Sequence, residues 1–214
     1  MNYANLAFTD AVKALQEENG SRRAYDRMEK QHVTGGLSGN EIAFIEDQDH
    51  FFMASFGENG YPYIQHRGGP TGFLKVLDAK TIAFVDFTGN KQYISVGNLQ
   101  TNPNVALIMV SYPQRARLKI YAKARIVALT DDPSLFDKID PADYPHRPER
   151  MLALDVQAFD WNCPQHITPR YTVAEIELAF ASQKAYLAKL EAENLALKTD
   201  LAACKAGAGL SLNL

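Results

Sequence analysis

Cysteine is almost missing from this chain: Cys163 and Cys204 are the only two in 214 residues. Two thiols cannot build a disulfide framework, and by themselves they cannot complete a zinc site. An excess of positive charge is missing too. The 22 Lys and Arg are outnumbered by 25 Asp and Glu, giving a formal charge of −3. That balance argues against a nucleic-acid partner, whose backbone calls for a basic surface. No run approaches the roughly 18 consecutive apolar residues of a membrane-spanning helix, so no membrane association is expected. Met1 to Asp10 is polar and lacks a basic segment leading into an apolar one, so no secretory signal is read there. HExxH, paired CxxC, the GxxxxGK phosphate loop and GxSxG are all absent. The five histidines, His32, His50, His66, His146 and His166, show no metal-ligand spacing and default to surface or hydrogen-bonded roles. The expectation is a cytoplasmic protein with one main domain plus appendages; its 46% apolar content suffices for a packed core.

What is present changes in kind along the chain. The first forty-odd residues read as helical. Thr9 is a plausible N-cap for a helix carrying Phe8, Val12 and Leu15 and stopping at Asn19-Gly20. Ser21 can cap a second helix with Tyr25 and Met28, and a third falls near Glu41 to Glu46. From His50 the pattern is strand-like. Phe51–Phe56 and Tyr61–Arg67 flank Gly57-Glu58-Asn59-Gly60, a hairpin signal, and Pro62 suggests an edge or a strand start. Further strands are expected at Phe73–Leu77, Thr81–Phe87, Val105–Ser111, Leu118–Leu129 and Leu152–Phe159. Lys91 to Thr101 reads as a helix stopped at Asn102-Pro103, Asp132-Pro133 opens another, and Asp140 to Pro148 reads as a loop. Short strands joined by tight turns, with little helix among them, favour an antiparallel barrel or sandwich.

Thr172 to Lys205 contains no Gly or Pro. Phe180, Leu187, Asn194 and Leu201 form one sevenfold series; Ile176, Gln183, Leu190, Leu197 and Cys204 form the other. These are the a and d positions of a heptad, and an Asn at a is a device for setting register in a parallel pair. Glu193 would face Lys198 of a partner, and Asp200 would face Lys205. A long amphipathic helix packed on its own barrel is the competing reading. The expected organisation is a helical segment at 1–48, a barrel at 49–170, the long helix at 171–205 and a frayed tail at 206–214.

Four stretches could carry chemistry. In Tyr61 to Pro70, Gln65-His66-Arg67 ends a strand; Arg67 offers a planar fork for phosphate or a carbonyl-rich ring. Gly68 and Gly69 would let a ligand approach the backbone, although an ordinary glycine turn explains them as well. In Asp86 to Ser95 a strand leads into a helix start, where backbone N–H groups with Thr88, Asn90 and Ser95 make either an anion site or a plain cap. In Arg115 to Ile120 alternation puts Arg117 and Lys119 on one face, which by itself reads as a solvated basic strand. In Phe159 to His166 the lone Trp161 offers a stacking surface, and Cys163 reads as a structural thiol.

At these stretches the chain resembles the FMN-binding split-barrel family related to pyridoxamine 5′-phosphate oxidase, over roughly Phe8 to Ile167. The residues that carry it are Gly60 to Pro70, Gly72-Phe73-Leu74-Lys75-Val76-Leu77-Asp78, Asp86-Phe87-Thr88-Gly89-Asn90, and Gly97-Asn98-Leu99 with Asn102-Pro103. The resemblance implies a mainly β fold: a six-stranded antiparallel Greek-key split barrel with N-terminal helices and a long C-terminal helix. It implies a homodimer with FMN at the interface and a small-molecule substrate. By position it marks Gln65, His66, Arg67, Gly68 and Lys75 for the flavin ring and phosphate, and Phe87 and Thr88 beside the ribityl-phosphate. It marks Arg117 near the ring, and Trp161 and Gln165 in a segment arriving from the partner. Ile94 and Ser95 stand where the oxidase has an Arg-Lys pair, so Arg67, Asn90 or Lys91 is expected to compensate. The Trp…Arg-Leu substrate signature of the true oxidase is absent, which points to a relative with another substrate. The implied function is an FMN-dependent oxidoreductase acting on a small organic molecule or reduced nicotinamide. A non-catalytic flavin carrier, sensor or regulator is the alternative, and a haem or deazaflavin barrel is a third.

Overall fold

The computed structural model describes residues 1–31 and 34–207; His32 and the 208–214 part of the expected frayed tail lie outside the described residues. The chain divides into two compact units, Met1–Thr168 and Pro169–Leu214. No described helix is long and apolar enough to cross a membrane.

The first unit opens with four short helices: α1 (Tyr3–Ala7), α2 (Asp10–Glu18), α3 (Arg22–Gln31) and α4 (Gly39–Glu46). Thr9 caps α2 through Val12 N. Ser38 and Glu41 form a reciprocal capping box on α4. Seven strands follow, with α5 (Ile94–Thr101) and α6 (Pro133–Ile139) between them: β1 (His50–Phe56), β2 (Pro62–Gly68), β3 (Lys75–Asp78), β4 (Thr81–Phe87), β5 (Asn104–Ser111), β6 (Ala116–Val127) and β7 (Pro148–Asn162). Every neighbouring pair is antiparallel, in the order β2-β1-β5-β6-β7-β4-β3. Pro62 is both the first residue of β2 and part of an edge strand, where a missing N–H is harmless. Gly60 takes the positive φ of the β1–β2 hairpin at 79°.

Two expectations need correction. Among the described residues the sheet has seven strands, not six, and its hydrogen-bonded ladder is not closed. The four-residue β3 pairs only with β4 and leaves an edge beyond it. The mid-chain helix starts at Ile94, not Lys91, because Lys91 and Tyr93 sit at φ 61° and 55° and cannot continue a right-handed turn.

Although the ladder is open, the sheet curls until its ends approach. Phe51 of β1 meets the ring of Phe84 in β4 at 5.2 Å, edge to face, and stacks on Phe73 at 5.7 Å. Phe51, Leu74, Met109, Leu118 and Leu154 are fully buried in the interior so formed. β4 is buried along nearly its whole length. Ile82 and Phe84 face this interior, while Ala83 and Val85 pack under Ile139 of α6. Among its described residues the second unit contains α7 (Val173–Gly207), a single helix of 35 residues.

Replacing Phe51 by Ala would remove two aromatic contacts and leave a cavity at the point where the curl closes. Urea unfolding should show a loss of about 3–5 kcal/mol; a loss under about 1 kcal/mol would mean the interior collapses around the gap.

Candidate functional site

The strand alternation of β2 puts Tyr63, Gln65 and Arg67 on its half-buried face. That face looks across the seam to the end of β4, where Asp86 is buried. Arg67 Nη1 pairs with Asp86 Oδ1, joining strands at opposite sides of the sheet order. Arg150, near the start of β7, approaches the other oxygen of Asp86 at 3.6 Å and holds Glu149 at 2.7 Å. The Tyr93 hydroxyl donates to Glu149 at 2.7 Å, and its ring lies under the Arg150 guanidinium at 5.1 Å. Ser95 donates to Gln65 Oε1 at 2.7 Å, tying α5 to β2.

Around this network lies a cavity of about 230 Å³, lined by Gln65, Arg67, Phe87, Lys91, Ser95 and Arg150 among others. A second cavity of about 210 Å³ shares Gln65, Arg67, Asp86, Phe87 and Gly89 with it and extends to His66, Gly68 and Thr88. The two form one cleft along the β2–β4 seam. Three features suit an anionic, polar ligand. Arg67 Nε is buried without a hydrogen-bond partner. Tyr93, the N-cap of α5, is left-handed and offers no side-chain cap, and Ile94, Ser95 and Val96 of the first turn line the cavity. Three cations, Arg67, Lys91 and Arg150, outnumber two carboxylates, Asp86 and Glu149.

Burial raises the Asp86 carboxyl above its ordinary pKa; the Arg67 and Arg150 guanidiniums and the Arg67 hydrogen bond act against that rise, and Glu149 adds to it. The hydrogen bond to Glu149 likewise raises Tyr93.

Of the expected residues, Gln65, His66, Arg67, Gly68, Phe87, Thr88, Asn90, Lys91 and Ser95 line this cleft. Four do not. Lys75 begins β3, paired with Ala83. Arg117 donates to the Cys163 carbonyl at 2.8 Å. Trp161 donates to Glu41 at 2.6 Å, packs edge-to-face on Phe44, and lines a separate cavity of about 750 Å³ with Tyr3 and Phe159. Burial opposes ionisation of Glu41, but donors from Ser38 and Trp161 together hold its carboxyl below the ordinary range. Gln165 lies exposed in the segment after β7. The glycines also need correction. A Cβ on Gly69 would stand 2.7 Å from the Phe73 ring, and one on Gly68 would stand 2.9 Å from His66, so the chain's own side chains occupy that space. Of the two glycines that line the cleft, Gly89 is the one with nothing within 4 Å of an added Cβ.

Sequence reasoning missed Glu149 and Arg150 and left Asp86 without a role. Asp86 and Arg150 are directly paired in register across β4 and β7, and nothing local in either stretch announces it.

A family model described as pyridoxamine 5′-phosphate oxidase matches residues 40–159, more than half of the chain and the whole of the cleft. The chain belongs to that family. Among solved structures it is similar to HupZ from Group A Streptococcus, with 15% identity over 63% of this chain and 99% of that one and a TM-score of 0.48. It is also similar to an FMN-binding protein from Syntrophomonas wolfei, with 10% identity over 69% of this chain and 97% of that one and a TM-score of 0.41. A third is the FAD-binding protein of Mycobacterium smegmatis, with 14% identity over 61% of this chain and 97% of that one and a TM-score of 0.40. No curated protein matches by sequence.

The raised Asp86 sets a pH test. A carboxyl whose native pKa exceeds its unfolded value holds its proton more tightly when folded. Its contribution to stability therefore falls as pH climbs from the ordinary 3.8 to the raised native value, and is level above it. Arg67→Met removes the nearest cation and pushes that window higher. The variant should match the parent in acid, where Asp86 is protonated, and be about 3–5 kcal/mol less stable at neutral pH. Arg67→Met with Asp86→Leu should close the neutral-pH gap. Urea unfolding of the three proteins across the range measures it; a gap independent of pH would contradict the pairing.

Proposed function

We propose that the β2–β4 cleft binds FMN and that the protein is an FMN-dependent oxidoreductase of the pyridoxamine 5′-phosphate oxidase family, acting on a small organic molecule or reduced nicotinamide. The observation that carries this reading is the buried, unpartnered Nε of Arg67, set beside the uncapped first turn of α5 in a cleft with an excess of cations. That donor set fits a phosphate monoester joined to a polar chain. Arg67, Lys91 and the N–H groups opening α5 would take the phosphate, with Arg150 adding charge from β7. Lys91 and Arg67 thus replace the Arg-Lys pair whose place is taken by Ile94 and Ser95. Gly89 leaves the backbone bare where the ligand enters.

Bound FMN supplies reversible two-electron chemistry. The chain supplies placement and charge. Arg67, held by Asp86, provides a fixed positive charge that would take the phosphate without rearranging. Phe87, Tyr63, Ile94 and Val96 bring apolar surface to the cleft beside its charged and amide groups. In this reading two chains form a homodimer with the cofactor at the interface, and Trp161 and Gln165 reach the cleft from the second copy. Light scattering and a flavin-to-chain ratio of one test that arrangement.

The phosphate assignment predicts that FMN binds more tightly than riboflavin. Lys91→Ala, and separately the charge-neutral Arg67→Met/Asp86→Leu pair, should each shrink that preference by about tenfold or more. Flavin fluorescence titration gives both affinities. Equal binding of FMN and riboflavin by the parent protein would overturn the assignment. Bleaching by a reduced nicotinamide with recovery in air would establish turnover, and bound flavin without it would favour the carrier.

A further inference from the structure

α7 runs unbroken from Val173 to Gly207, and none of its residues is buried. At 1.5 Å per residue its 35 residues extend about 52 Å. The first series extends back to Val173, so the a positions are Val173, Phe180, Leu187, Asn194 and Leu201; the d positions are Ile176, Gln183, Leu190, Leu197 and Cys204. Leu187, Leu197 and Leu201 each keep more than half of their surface exposed. A stripe of five heptads on one face is more than a solvated helix requires, and such helices draw their stability from burying the stripe.

The polar positions say what buries it. In an antiparallel pair a residue at a faces d of the other helix; with the two helices fully overlapped Asn194 would meet Gln183, and each Cys204 would lie against Val173, far from the other Cys204. In a parallel, in-register pair Asn194 faces Asn194, and the two amides satisfy each other. The flanks agree. Glu193 at g, which lies 3.8 Å from Lys189 of its own helix, would face Lys198 at e of the other copy; Asp200 would face Lys205. Both pairs are of opposite charge in the parallel register. A different partner helix would have to reproduce this asymmetric pattern, whereas a second copy carries it already.

We infer that α7 pairs with α7 of a second copy of this chain, as a parallel, in-register two-stranded coiled coil whose register is set by Asn194. The inference makes no use of the cleft and stands or falls apart from flavin binding.

The d position of Cys204 provides the readout. In the full chain carrying Cys163→Ser, Cys204 is the sole cysteine. Diamide takes two electrons and two protons from a pair of thiols, forming the S–S bond and becoming a hydrazine. In the parallel register the two Cys204 side chains face each other, so most of the protein should run as a covalent dimer without reductant. Leu190→Asp in the same background should cut that yield by about tenfold or more while the thermal transition of the first unit is unchanged. Asn194→Leu should release the two-stranded restriction, and light scattering should show species larger than a dimer. Absence of the Cys204 crosslink, or a yield insensitive to Leu190→Asp, would overturn the inference.

Discussion

An ion pair buried between two strands that share no backbone hydrogen bonds organises the first unit. Arg67 lies on the edge strand β2 and Asp86 on β4, and four strands separate them in the sheet. Their contact requires the sheet to curl, and the curl is possible because the aromatic side chains of Phe51, Phe73 and Phe84 fill the enclosed space. A backbone ladder across the seam would have sealed it. Side chains bridge it instead, and a bridge of charged groups leaves a cleft with donors to spare. The cost is visible at Asp86, whose burial works against its charge despite two guanidiniums. Such a group is retained more readily for what it positions than for stability.

The segment after β4 shows the same economy. Lys91 and Tyr93 are both left-handed, a strained choice for residues with side chains. The strain brings the Tyr93 hydroxyl to Glu149 and leaves α5 without a side-chain cap, so its first turn faces the cavity. Where a lysine would reach in from the helix, Ser95 turns to Gln65, and the positive charge comes from strands and loop instead. Trp161 is engaged differently. Its indole nitrogen is a donor to Glu41, a member of the α4 capping box, so within its own chain it ties the N-terminal helices to β7.

Much of the fold was legible because local rules and tertiary needs agree there. Pro62 began a strand, Gly60 took the positive φ of a hairpin, Asp132 capped the helix after it, and alternation separated Leu118 and Ile120 from Arg117 and Lys119. The site was legible only where its residues lie in one stretch. Gln65 to Arg67, with Phe87, Thr88, Asn90, Lys91 and Ser95, could be picked out and line the cleft; Glu149 and Arg150 could not, since they reach Asp86 only through strand pairing more than sixty residues on. Gly68 and Gly69 show the opposite error. Their permissiveness suggested a visitor, but His66 and Phe73 fill the space.

Composition, turn residues and alternation by themselves determined an antiparallel sheet, its strand boundaries to within a few residues, and a heptad helix at the end, because each depends on neighbours within a turn or a hairpin. Only the tertiary structure decided that seven strands curl without closing, that Arg67 faces Asp86, and that Gly89 is the open glycine of the cleft. Those outcomes depend on which side chains meet across a sheet, and the meeting of residues far apart in the chain is set by packing, which no local pattern records.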